Sequence, residues 1–242
     1  MRHYFAAFAA SSVLLFAGSV ACGQLAIVNN MAGSYMDISS TGTPLNLSDD
    51  GQVTLITGIN ATIFNTNVVT ISNNMAVGFG TAASGGTAPP SNTTLPNNSF
   101  FGGNQAVAVL WDNPGPGTGG MSGVFYQEFA DMYVIQWNML PKGDPGSTAT
   151  VELQVFGGAA RRGEVYAQWL FQDVEQSGVR RFGTVGYQSG IDSQFNDILY
   201  SIDQNNVEFI RNGTVLTLTT AVPAPGALLV MLGLAPLSRR RR

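Results

Sequence analysis

Residues 150–156 read TVELQVF, and residues 164–172 read EVYAQWLFQ. In both stretches apolar and polar side chains alternate. Successive side chains of an extended chain point to opposite sides, so a period of two marks a strand with one buried face. In the first stretch Val151, Leu153 and Val155 share one face and Glu152 and Gln154 the other. In the second, Val165, Ala167, Trp169 and Phe171 line up. Residues 132–137, MYVIQW, repeat the pattern with Tyr133, Ile135 and Trp137. Both tryptophans are read as core on this basis.

Working outward, similar runs are expected as strands at 52–57, 60–64, 67–72, 75–80, 105–111, 122–128, 182–188, 197–202, 207–211 and 214–220. Asn212-Gly213 falls between the last two and is a two-residue hairpin signal. Ser48-Asp49-Asp50-Gly51 marks another turn. No stretch between 24 and 220 has a helical period. Many short strands joined by polar turns make an all-β fold, an antiparallel β-sandwich. Two segments interrupt the pattern. Residues 81–104 hold no charged residue and are expected to be an exposed flexible loop or a binding loop. Residues 112–123, DNPGPGTGGMSG, form a shorter Gly/Pro loop.

The chain has 242 residues, of which 45% are hydrophobic and only 11% charged, with 29 Gly and 11 Pro. That excludes a coiled coil and an ordinary helical enzyme, and leaves enough apolar material to fill a core. The one cysteine is Cys22 and the one histidine is His3. A chain starting after Gly23 therefore has neither. It lacks the parts for a Ser-His-Asp triad, a cysteine nucleophile, an internal disulfide or a Cys/His zinc site. Catalysis would have to rest on carboxylates, hydroxyls, Tyr, Arg or the single Lys142.

The formal net charge of −4 hides an asymmetry. Five of the eleven basic residues are Arg2, Arg239, Arg240, Arg241 and Arg242. Between Gln24 and Leu237 six bases face fifteen acids, a balance of −9. Such a body repels polyanions and disfavours nucleic acid as a partner.

Both ends read as addresses. Residues 1–23, MRHYFAAFAASSVLLFAGSVACG, have a basic start, an apolar run and small residues before Gln24. This is a secretory signal peptide forming a signal helix, removed by signal peptidase. The alternatives are an uncut anchor, or a lipid-bearing Cys22. For the latter, Ser19 stands where a Leu-like residue is wanted. The far end reads AVPAPGALLVMLGLAPLSRRRR. Pro223 and Pro225 stop a strand, and Pro225 can open a helix because its missing N–H has no role there. The apolar run ends at Leu237, so the helix would be roughly 20 Å long at about 1.5 Å per residue. A bilayer core is about 30 Å thick, so this is a short hydrophobic plug rather than a comfortable span. The four terminal arginines would pin its end on the cytoplasmic side.

Val222-Pro223-Ala224-Pro225, the short apolar helix and the cluster Arg239, Arg240, Arg241 and Arg242 together resemble a PEP-CTERM sorting signal. Such signals belong to exported proteins of Gram-negative bacteria and are read by a membrane protease, exosortase. Ala224 stands where the family usually has Glu, a variant similar to planctomycete-like proteins. The resemblance covers the last 20 residues or so, and implies a transient membrane anchor and an exosortase-like partner.

The body carries a second resemblance. Its matching stretches are Tyr35 to Gly51 (YMDISSTGTPLNLSDDG), Val69-Thr70-Ile71-Ser72-Asn73-Asn74, Val77-Gly78-Phe79-Gly80, Trp111-Asp112 and Val134-Ile135-Gln136-Trp137-Asn138. Residues 150–156 and 184–188 follow in the same order. Together they resemble an all-β domain of secreted bacterial surface proteins, distantly similar to nidogen-type modules. Asn113 replaces the second Asp of the family's element, and Met75 the Gly after Asn74. The resemblance implies an extracellular sandwich and no established catalytic residues.

The candidate sites are few. Asp49 and Asp50 could offer oxygens to calcium, but read first as solvated turn residues. Trp111 and Asp112 could bind a sugar, the ring stacking and the acid accepting hydroxyls. They read first as a Trp closing the sandwich edge beside a turn-forming Asp. Asp173 and Glu175 could form a glycosidase pair only if tertiary structure set them across a cleft. Arg161-Arg162 and Arg180-Arg181 could hold an acidic polysaccharide or could be ordinary loop ends. No metal, cofactor or catalytic residue is assigned.

The expected organisation is a signal peptide at 1–23, an extracellular sandwich at 24–220 and a sorting segment at 221–242. The expected role is that of a non-enzymatic exported protein of the cell envelope, cell surface or extracellular matrix. A carbohydrate-binding module is the alternative, with a carboxylate-based glycosidase behind it.

Overall fold

The computed structural model describes residues 25–29, 33–81, 83–90, 95–112, 114–115, 123–141, 149–158, 165–174, 183–189, 198–202 and 210–220. The expected signal helix, the expected C-terminal helix and the whole sorting motif lie outside them, as do Lys142 and both arginine pairs.

Fourteen strands are formed among the described residues. They are β1 (Leu25–Asn29), β2 (Thr43–Pro44), β3 (Gln52–Ala61), β4 (Thr66–Ser72), β5 (Ala76–Phe79), β6 (Ala106–Trp111) and β7 (Pro114–Gly115). Then come β8 (Gly123–Glu128), β9 (Met132–Pro141), β10 (Ala149–Phe156), β11 (Val165–Asp173), β12 (Thr184–Gln188), β13 (Ile198–Ile202) and β14 (Thr214–Thr220). Every pairing between them is antiparallel. The large sheet runs β1-β14-β11-β10-β9-β8-β2, with β7 attached at the end of β9. The small sheet runs β13-β12-β6-β5-β4-β3.

The alternation decides the packing. Val151, Leu153, Val155, Tyr133, Ile135, Trp137, Ala167, Trp169 and Phe171 all enter one core. From the small sheet they meet Val69, Ile71, Val77, Phe79, Val107, Val109, Val185 and Tyr187. The fold is thus a β-sandwich whose inner faces interdigitate. Both core tryptophans also tie the sheets together through polar atoms. The Trp137 indole N–H donates to the Ser72 carbonyl at 2.8 Å, and that of Trp169 to the Ala108 carbonyl at 3.2 Å. Each bond spans the interior, so a large ring is buried without stranding its one polar group.

Three expectations are corrected. The strand expected at 60–64 is absent. β3 runs on to Ala61 across an irregularity in its pairing with β4, and residues 62–65 form a turn with Asn65 at φ 48°. The expected strand at 207–211 does not reach its end, since Ile210 and Arg211 are not in a strand. β14 instead pairs with β11 and β1. The Asn212-Gly213 turn does form, with Gly213 at φ 80° and the Thr214 N–H on the Arg211 carbonyl at 2.9 Å. It docks on the end of β11, where the Val174 N–H donates to Asn212 Oδ1 and the Gly213 N–H to the Phe171 carbonyl.

The third correction concerns the loop. The described parts of residues 81–104 are folded down on the outside of the small sheet, where Phe100 and Phe101 are fully buried with Ala83, Ala88, Leu95 and Trp111. An uncharged Ala- and Phe-bearing stretch has apolar area to hide, and the small outward residues Ala76, Gly78, Ala106 and Ala108 leave room for it.

Candidate functional site

Trp111 sits at the end of β6 and is 0% exposed. Its ring packs on Phe100 with centroids 4.3 Å apart, and its indole N–H donates to the Pro89 carbonyl at 2.7 Å. The ring is covered by the loop and is no open sugar platform, which corrects the binding expectation for Trp111. Asp112 follows it, half-buried at the strand end. Other side chains at the margin of the small sheet hold loop backbone in the same manner. Gln52 donates to Gly86, Asn74 to Ala88, and Gln188 to Asn104, while the Asn97 N–H donates back to Gln188.

Asp49 and Asp50 are exposed, with Asp50 at φ 55°. Asp50 Oδ1 accepts from Asn74 Nδ2 at 3.1 Å. The neighbouring amides leave three buried atoms without protein partners, namely Asn73 Oδ1, Asn73 Nδ2 and Asn74 Oδ1. Two acceptors and a donor match what buried water supplies. Among the described residues no three Asp, Glu, His or Cys side chains are grouped as metal ligands. Asp173 ends β11, half-buried, and Glu175 lies outside the described residues.

The most unusual chemistry is on the outer face of the large sheet. The alternation assigns Glu152 and Gln154 to the side away from the core, and that is where they are. Yet Glu152 is 0% exposed and Gln154 4%. Residues 33–38 run over them as a strap. Its successive alternate residues bond to sheet side chains rather than to sheet backbone. The Ser34 carbonyl accepts from Gln154 Nε2 at 2.9 Å, the Met36 N–H donates to Glu152 Oε2 at 2.9 Å, and the Ile38 N–H donates to Gln136 Oε1 at 2.7 Å. Gln136 Nε2 also donates to Asp37 Oδ1 at 3.1 Å, and Gln154 Nε2 donates to the second oxygen of Glu152. Ile38 packs with Phe125 and Val134 beside this polar row.

Burial pushes the Glu152 carboxyl up to about 7, with a further push from the Asp37 charge. The bonds from Gln154 and Met36 pull the other way. Asp37 is held below the ordinary carboxylate range, chiefly by Ser39 and then by Gln136. The Tyr35 phenol is raised well above its usual value, first by burial and then by Asp37 and Glu152. The cluster is therefore a hydrogen-bonded acid seam. Alternation says which side a residue faces, and nothing local says that another segment will cover that side. That is why Glu152 escapes a reading of the sequence.

Comparison of the chain with protein-family models, with curated proteins and with solved structures finds no match.

Proposed function

We propose that the chain is a non-enzymatic exported protein of the cell surface or extracellular matrix. It is held briefly in the membrane by its C-terminal apolar segment and processed there by an exosortase-like protease after signal peptidase has cut near Gln24. The observation that supports this most directly is the pairing of Leu25 with Thr220, the first residue of β1 with the last of β14. The residues that adjoin the two segments read as addresses are thus neighbours in the large sheet. A domain carrying both can be handled at the membrane from a single pole while its body folds clear of it. The acidic body and the absence of His and Cys after residue 23 agree with a structural role outside the cell. The carbohydrate-binding reading loses its aromatic platform with Trp111 buried.

The test is removal of residues 223–242 in the native host. The truncated protein is expected in the medium or periplasm instead of on the surface. Unchanged surface attachment would overturn the reading.

A further inference from the structure

We propose that residues 33–38 are a pH-responsive latch on the outer face of the large sheet, tight in mildly acidic surroundings and loosened above neutrality. The geometry carries this. Three alternate strap residues hang on three sheet side chains, and the middle bond, Met36 to Glu152, is made to a fully buried carboxyl group. On β9 the residue opposite Glu152 is Gln136, and on β11 it is Leu170, neither of which carries charge. From the strap, Asp37 and Tyr35 face it; the Asp37 charge opposes a second negative charge there, while the Tyr35 phenol, itself raised by burial, is uncharged. Among the described residues no ion pair offsets an ionised Glu152.

Burial and the Asp37 charge favour the neutral acid, against the bonds from Gln154 and Met36, which favour the carboxylate. The neutral acid keeps its carbonyl oxygen for the Met36 N–H and adds no charge beside Asp37. Ionisation places a carboxylate in a dry seam beside the exposed Asp37 carboxylate, and lifting the strap rehydrates Glu152. The direction follows from linkage. Glu152 is raised from 4.5 to about 7 in the closed state. Its contribution to closure is therefore full below the ordinary carboxylate value and is lost as pH rises through about 7. From these two values the opening equilibrium rises about tenfold between pH 6 and pH 8.

Hydrogen exchange resolved at Met36 and Ile38 tests this, with each pH corrected for intrinsic exchange. Protection at these two amides is expected to fall about tenfold from pH 6 to pH 8, while that of Leu153 in the core stays level. In Glu152→Gln, which keeps the shape and removes the titration, the fall should vanish. Equal protection at both pH values in the wild type, or the same fall in the variant, would overturn the latch. If Glu152→Gln does not fold, the carbon resonance of the Glu152 carboxyl is titrated in the wild type. A midpoint in the ordinary carboxylate range would equally overturn it, and one near neutrality would support it.

Discussion

Leu25 and Thr220 are cross-strand partners, so the first and last described strands lie side by side in the large sheet. Among the described residues β1 has β14 as its only strand partner and packs Ile27 against the core, while β14 is also paired with β11. A chain beginning at residue 30 should therefore fold but be less stable by about 2 kcal/mol, the worth of one large aliphatic side chain. A chain ending at Thr220 should melt like the full body. Thermal unfolding of the two truncations distinguishes them, and equal losses would contradict the assigned domain limits.

All three tryptophans are 0% exposed. Iodide should leave the native emission unquenched, and no oligosaccharide should change it through stacking on a ring. Trp137→Phe should cost about 2–3 kcal/mol, because it removes ring volume and strands the Ser72 carbonyl. Denaturant unfolding reads the loss. A quenchable native fraction would show that the loop over Trp111 stands open in solution.

Gly78 faces the loop from β5, and a Cβ there would lie 2.6 Å from Phe101 Cδ1 and 2.9 Å from the Ala83 Cβ. Gly78→Ala should prise the loop from the small sheet at a cost of about 1–3 kcal/mol. Exchange should quicken around Phe100 and Phe101 with β9 and β10 unaffected. Gly85→Ala, where nothing lies within 4 Å, is the neutral control. Equal effects of the two would mean that the contact carries no energy.

Glu128 closes one side of the sandwich. From β8 it takes the Gly58 N–H of β3 on both carboxylate oxygens at 3.0 Å, and the Tyr126 hydroxyl donates to it at 2.5 Å. The Tyr126 phenol is raised above its usual value first by burial, then by Glu128. In Glu128→Gln its ultraviolet titration should move back toward the ordinary phenol range, though burial keeps it above. No movement would mean that burial alone holds it.

The inner faces of β9, β10 and β11 were legible because strict alternation over six or more residues admits one reading. The end of β3 and the partners of β14 were less so. A strand can absorb an irregularity and continue, as β3 does to Ala61, and a hairpin signal such as Asn212-Gly213 fixes a turn without naming its neighbour. The short β2, formed by Thr43 and Pro44 alone, carries no periodic signal. For Trp111 and Glu152 the missing information is tertiary. One lies under a loop some twenty residues upstream and the other under a strap more than a hundred residues away.

Both broad sides of this sandwich wear the molecule's own backbone, the strap on one and the long loop on the other. Two copies could not stack plane on plane without first peeling a covering away. The coverings thereby oppose stacking of one copy's face on another's, and leave the rims and poles as the ground where neighbours can meet.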